Sequence, residues 1–296
     1  MKDKIRDLAK RKNAVIMAHY YTDGAVQDVA DFVGDSLALA QKAAETEADV
    51  IVMAGVHFMG ETCKILCPEK KVLIPDMNAS CSLAESCPAE EFAAFAKAHP
   101  DHKVISYVNT SAAVKAVTDV VVTSSNAYKI VESFPKDAKL IFGPDRNLGG
   151  YINSVTGRQM LLWNGACHVH ERFDAETIQK LKAAHPEAKV LVHPEARAEV
   201  VALADEVGST AGLLKYAIAS DAKEFIVVTE NGILHEMKRK APGKTFLTPC
   251  NECQYMKMIT LEKIYNVLND EAPEIVVPQE VAEAALKPIR EMLKLS

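Results

Sequence analysis

No apolar run among the 296 residues approaches the ~20 needed to cross a bilayer. The opening Met1-Lys2-Asp3-Lys4-Ile5-Arg6 is a charged helix start without the apolar stretch of a secretory leader. Both absences read as a cytoplasmic protein. Excess positive charge is missing too: 34 Lys and Arg against 40 Asp and Glu leave a net charge of −6, which argues against nucleic acid or an anionic membrane as partner. A nucleotide loop is also lacking, because Gly143-Pro144-Asp145-Arg146-Asn147-Leu148-Gly149 fits neither a P-loop nor G-x-G-x-x-G and reads as a structural turn. Cysteine is sparse and odd in number, seven in all, which without a secretion signal favours thiols or metal ligands over a disulfide framework. What remains, 49% hydrophobic and 25% charged residues, is the composition of a globular chain with a substantial core.

Three of the cysteines are evenly placed. Cys167 follows Cys81 by 86 residues, and Cys253 follows Cys167 by 86. The surrounding text repeats at the same offset: Ala98-His99-Pro100-Asp101-His102-Lys103-Val104 returns as Ala184-His185-Pro186-Glu187-Ala188-Lys189-Val190, a helix end, a proline stop and a strand start in the same order. Length alone would suggest about two domains of roughly 150 residues, but the repeat argues for three units, each delivering one cysteine from the same topological place.

Short apolar runs alternate with helical patterns throughout. Ala14–Ala18, 48–55 and 72–74 read as strands of the first unit, with helices at 3–12, 25–47 (interrupted at Gly34-Asp35-Ser36) and 59–66. In the second unit, strands at 104–108, 120–122 and 139–143 alternate with helices at 89–98 and 111–117, and the apolar Met160-Leu161-Leu162-Trp163 runs into Cys167. The third has strands at 190–192, 225–228 and 245–247 after a helix at 175–184. A tail follows, with a helix at 258–268, a strand at Ile275-Val276-Val277 and a helix at 281–293. The expected fold is therefore α/β, three pseudo-repeated α/β/α domains with short parallel sheets around a pseudo-threefold axis: residues 1–82 with the tail 256–296, residues 83–168, and residues 169–255. Unit three is the alternative platform for the tail, and the register of the first copy against the second is open by two or three residues.

Ligand sites in parallel α/β sheets form beyond the carboxyl ends of strands. His19 and Tyr21, Tyr107 and Asn109, Ser124, His193 and Glu195, and Thr210 all follow a strand or open the next helix. Ser36, Ser124 and Thr210 are read as helix caps or, through free N–H groups and the helix dipole, as anion-binding positions. Cys81, Cys167 and Cys253 suit zinc with an added water, or a [4Fe-4S] cluster with one iron left open. His170 is placed in the cysteine loop facing the cleft, whereas His99, His102 and His185, beside proline stops, are read as structural. Cys250 pairs with Cys253 as C-x-x-C, but 86 residues earlier stands Asn164, so Cys250 is not expected to be a ligand. Cys63 and Cys67, four apart on a helix, are read as packing residues or spare thiols.

Taken together, Ala18-His19-Tyr20-Tyr21, Val33-Gly34-Asp35-Ser36-Leu37, Tyr107-Val108-Asn109, Phe142 to Gly149, Val192-His193-Pro194-Glu195 and Val207-Gly208-Ser209-Thr210 resemble the quinolinate synthase family over nearly the whole chain. The resemblance implies a [4Fe-4S] cluster on Cys81, Cys167 and Cys253. It also implies condensation of iminoaspartate with dihydroxyacetone phosphate in de novo NAD biosynthesis, with iminoaspartate supplied by an L-aspartate oxidase or an aspartate dehydrogenase. Substrate contacts are then expected from His19, Ser36, Tyr107, Val108, Asn109, Ser124, His193, Pro194, Glu195, Ser209 and Thr210, and catalysis from Glu195, Tyr21, His193 and His19. Some family members carry C-x-x-C-x-x-C before the last helix; here Leu247 stands at its first cysteine. Two other classes share some of these features: an iron-sulfur reductase of the isoprenoid pathway, and a non-enzymatic metal or redox sensor.

Overall fold

Runs such as Val50–Ala54 and Val120–Val122 are buried along their whole length, as strands covered on both faces must be. A computed structural model describes residues 1–296. The first sheet consists of β1 (Ala14–His19), β2 (Phe32–Gly34), β3 (Val50–Ala54) and β4 (Lys71–Leu73), in the order β2-β1-β3-β4. The second consists of β5 (Lys103–Tyr107), β6 (Val120–Val122), β7 (Leu140–Gly143) and β8 (Leu161–Leu162), in the order β6-β5-β7-β8. The third consists of β9 (Lys189–Val192), β10 (Glu206–Val207), β11 (Glu224–Val228) and β12 (Thr245–Leu247), in the order β10-β9-β11-β12. Every pairing within them is parallel. The expected fold class, three repeated α/β units, is the observed one.

The second strand of a unit is its least legible part. Residues 25–47 read as one interrupted helix, yet the chain forms Gly24–Gln27, then β2, then a helix at Ser36–Glu45. Likewise β10 is only two residues long. An aspartate pins each of these strands to its neighbour. Asp31, Asp119 and Asp205 each accept the N–H of a residue in the first strand of their unit (Ile16, Val104 and Val190, all at 2.8 Å), while their own N–H groups bond back to the carbonyls of those same residues. These aspartates are 88 and then 86 residues apart, which settles the register of the first copy. His19, Tyr107 and His193 end the equivalent strands or follow them directly, and the 86-residue gap between Tyr21 and Tyr107 is a coincidence.

The tail departs from expectation at Ile275-Val276-Val277, which is not a strand. It makes one antiparallel bridge, Glu274 to Leu73 at the edge of β4, and Val276 stands 79% exposed. The helix Leu261–Asp270 packs on Lys2–Arg11, and the helix Gln279–Leu295 lies against β6, Ala112–Lys115 and His57–Leu66. Unit one, part of unit two and the tail thus share one apolar core, unit two keeps a smaller one around Phe92, Val104 and Ile141, and unit three has separate cores on the two faces of its sheet. Unit three meets unit one closely at Gly232, where a Cβ would lie 2.6 Å from the Tyr20 carbonyl oxygen, and the Gln27 side-chain amide donates to the Gly232 carbonyl at 3.0 Å. No helix is long and apolar enough to cross a membrane.

Candidate active site

Because the sheets are parallel and identically ordered, their first strands all end toward the centre of the molecule. A cleft of about 690 Å³, its mouth included, opens there. Thirteen of the residues singled out from the sequence line it: His19, Tyr21, Ser36, Tyr107, Asn109, Ser124, His170, His193, Glu195, Thr210 and the three evenly spaced cysteines. Val108, Pro194 and Ser209 do not. Val108 is buried in the apolar core, Pro194 stands between two residues that do face the cleft, and Ser209 caps the helix Thr210–Ala219 by accepting the Gly212 N–H.

Two histidines are oriented by the same local device. His19 Nδ1 accepts the Tyr21 N–H at 3.1 Å, and His193 Nδ1 accepts the Glu195 N–H at 3.3 Å. With Nδ1 acting as acceptor, the ring proton belongs on Nε2, which in His193 points to Ser124 Oγ at 3.3 Å. Burial lowers His19 to about 4, against the pull of Asp35 and Glu195, and lowers His193 to about 3, against Glu195. Both are neutral donors at pH 7.

Glu195 is held on every side. The Tyr107 hydroxyl donates to Oε1 at 2.6 Å, His170 Nδ1 lies 2.9 Å from Oε2, and the Asn147 amide donates to the backbone carbonyl at 3.0 Å. Burial opposes its charged form, but the adjacent histidines and the Tyr107 hydroxyl outweigh that and lower it to about 2. The Tyr21 hydroxyl sits 2.8 Å from both Thr210 Oγ1 and Thr229 Oγ1. Burial, with Glu195 nearby, raises Tyr21 and Tyr107 well above the usual phenol range, so both keep their protons. Asn109 Oδ1 is a buried acceptor with no partner in the protein, as a group meant for a ligand would be.

Each cysteine follows the fourth strand of its unit, and none is in a disulfide. Burial raises Cys81 to about 12, pushes Cys167 well above the thiol range and raises Cys253. Such thiols become thiolates when a cation is there to hold them, so three of them on one cleft fit a shared metal centre. The loops that carry them are tied together. The Cys167 N–H donates to Asp145 Oδ2 at 3.3 Å and the Cys253 N–H to Glu230 Oε1 at 3.2 Å. Lys257 bridges Glu230 and the Tyr21 carbonyl, 3.0 Å from each. The His168 N–H reaches Ser82 Oγ at 3.1 Å, joining the Cys167 and Cys81 loops. The other four behave differently: Cys63, Cys67 and Cys87 are buried away from the cleft and Cys250 is exposed.

Several residues here were not singled out from the sequence. Asp145 and Glu230 occupy equivalent places after β7 and β11, 85 residues apart, and that repeat was a usable signal. Thr229 carries no sequence signal, yet it is fully buried between Tyr21 and His170, 2.9 Å from His170 Nε2.

A family model described as "Quinolinate synthetase A protein" matches residues 3–294. The chain is 55% identical over 300 residues to the quinolinate synthase of Thermosynechococcus vestitus, an alignment that covers 99% of this chain and 94% of that protein. It is 54% identical over 299 residues to the quinolinate synthase of Nostoc sp. (99% and 92%) and 53% identical over 299 residues to that of Synechocystis sp. (99% and 94%).

Proposed function

The chain belongs to the quinolinate synthetase A family, and from that membership we propose that it is an enzyme of NAD biosynthesis that condenses iminoaspartate with dihydroxyacetone phosphate. The products are quinolinate, phosphate and water, a balance that closes without oxidant or reductant. One observation carries the reading to this level: three thiols, one from each unit, share a cleft with an ionised buried glutamate, a protonated tyrosine and three hydroxyls at or just before helix starts.

Cys81, Cys167 and Cys253 would hold a [4Fe-4S] cluster. When bound, the cluster supplies a Lewis-acidic iron. The remaining chemistry is the protein's own. Ser36, Ser124 and Thr210, with the Nε2–H groups of His19 and His193 and the Tyr107 and Asn109 side chains, are donors placed to take carboxylates and phosphate without adding net positive charge. Glu195 accepts protons at Oε2 and Tyr21 gives its hydroxyl proton, the two connected through His170 and Thr229. His193 acts on Glu195 by fixing the peptide that carries it. Iminoaspartate would come from an L-aspartate oxidase or an aspartate dehydrogenase, and the cytoplasm suits the unpaired thiols. The test is anaerobic: iron-loaded protein given both substrates should form quinolinate, and reduction of a diphosphate substrate instead, with no quinolinate, would overturn the reading.

A further inference from the structure

We infer that the full chain, once stripped of iron, holds one divalent ion of the zinc class between Cys167 Sγ, His170 Nδ1 and Glu195 Oε2, a site that shares Cys167 with the cluster and therefore excludes it. These three donor atoms all lie within 4.8 Å of one another. His170 Nδ1 is the hub, 2.9 Å from Glu195 Oε2 and 3.2 Å from Cys167 Sγ. A thiolate, an imidazole nitrogen and a carboxylate oxygen are the donors that zinc takes, and three protein ligands leave its fourth position open to the cleft.

Built metal sites are recognised by how their ligands are held from behind, and each of these is. A metal on Nδ1 leaves His170 Nε2 to carry the N–H, and Thr229 Oγ1 waits 2.9 Å away to accept it. The His170 ring is stacked on His193, with centroids 4.7 Å apart. The Tyr107 hydroxyl holds Glu195 Oε1 and so turns Oε2 toward His170. Asp145 holds the peptide of Cys167. His170 and Glu195 are 1% and 3% exposed, so no bulk water competes for them.

The two metal sites overlap at one atom. Cysteines of all three units make up the cluster's set, whereas this set needs only the Cys167 loop and the end of β9. An ion seated here takes Cys167 from the cluster and Glu195 from proton transfer. Zinc binds such donors more tightly than ferrous iron does, so it would leave the chain both cluster-free and inactive. Only this competition rests on the function proposed above; binding of the ion itself does not.

Cobalt(II) is the probe, added anaerobically to the iron-free full chain. One Co²⁺ per chain is expected, with intense tetrahedral ligand-field bands and a thiolate charge-transfer band. Cys253→Ser, which removes a cluster ligand, should leave that spectrum unchanged. Cys167→Ser should lose the charge-transfer band, His170→Asn should lose binding, and Thr229→Val should weaken it about tenfold or more. Circular dichroism of each variant separates lost binding from lost fold, and zinc bound first should block cluster reconstitution. A cobalt spectrum that disappears in Cys253→Ser but persists in folded His170→Asn would place the ion among the three cysteines and overturn the inference. So would the absence of stoichiometric binding.

Discussion

Glu195 has two neighbours on its carboxylate, the Tyr107 hydroxyl at one oxygen and His170 at the other, and this arrangement decides what the residue can do. A carboxylate held so far below its usual range is a weak base while those contacts last, so the proton-accepting role proposed for it requires a substrate that displaces one of them. Glu195→Gln keeps the shape and removes the basic site. The variant should bind its cluster normally and form quinolinate at least about a hundredfold more slowly, read as single-turnover rate with iron content measured alongside. A near-parental rate at full iron content would move the base to Tyr21 or His19. The cysteines divide just as sharply. Serine at Cys81, Cys167 or Cys253 should abolish stable binding of about four irons per chain, whereas serine at Cys63, Cys67, Cys87 or Cys250 should leave it intact under reducing conditions. Iron analysis of the seven variants checks the division.

Among the elements, the weak points are the second strands of the units. With two or three residues each, they lack enough ladder bonds to hold themselves, and the aspartates at Asp31, Asp119 and Asp205 make up the shortfall. Asp205→Ala leaves the Val190 N–H without its side-chain acceptor and should cost about 1–3 kcal/mol in denaturant unfolding. The loss should also reach the site, because β10 leads directly into Ser209 and Thr210. Stability equal to that of the parent would show that β10 is held by its helix alone. The sequence reads residues 31–33 as part of a helix and shows no strand at 206–207; both strands exist because a neighbouring strand offers them partners.

For the whole molecule, the buried histidines set a pH dependence. His19 and His193 fold with pKa values of about 4 and about 3, below the ordinary 6.5. The unfolded chain therefore takes up protons first, and stability that is full above pH 6.5 is lost as pH falls toward those values. Each tenfold loss of proton affinity on folding corresponds to about 1.4 kcal/mol, so the two histidines together contribute several kcal/mol. Asp145 and Glu230, raised by burial, act with the opposite sign. The reading is therefore the difference between metal-free parent and His193→Asn, measured by denaturant unfolding from pH 7 to pH 4. The parent should lose more stability over that window than the variant, and parallel curves would mean that His193 titrates normally in the fold.

By itself, the sequence determined the fold class, the threefold repeat, the three equivalent cysteines and most of the strand-end residues that line the cleft. All of these are local patterns, a run of apolar residues with a polar break after it, and the repeat multiplies each pattern by three. The tertiary structure alone decided the rest. The two-residue shift of unit one became visible through Asp31, Asp119 and Asp205, whose bonding partners lie 15 residues away on a neighbouring strand. Tyr107 meets Glu195 from 88 residues away, and His170 meets Thr229 from 59. Such contacts leave no mark in periodicity or composition, because they join side chains far apart in the chain, Tyr107 and Glu195 from different units and His170 and Thr229 from separate loops of the same one. Their geometry comes from three sheets that point their strand ends at one another.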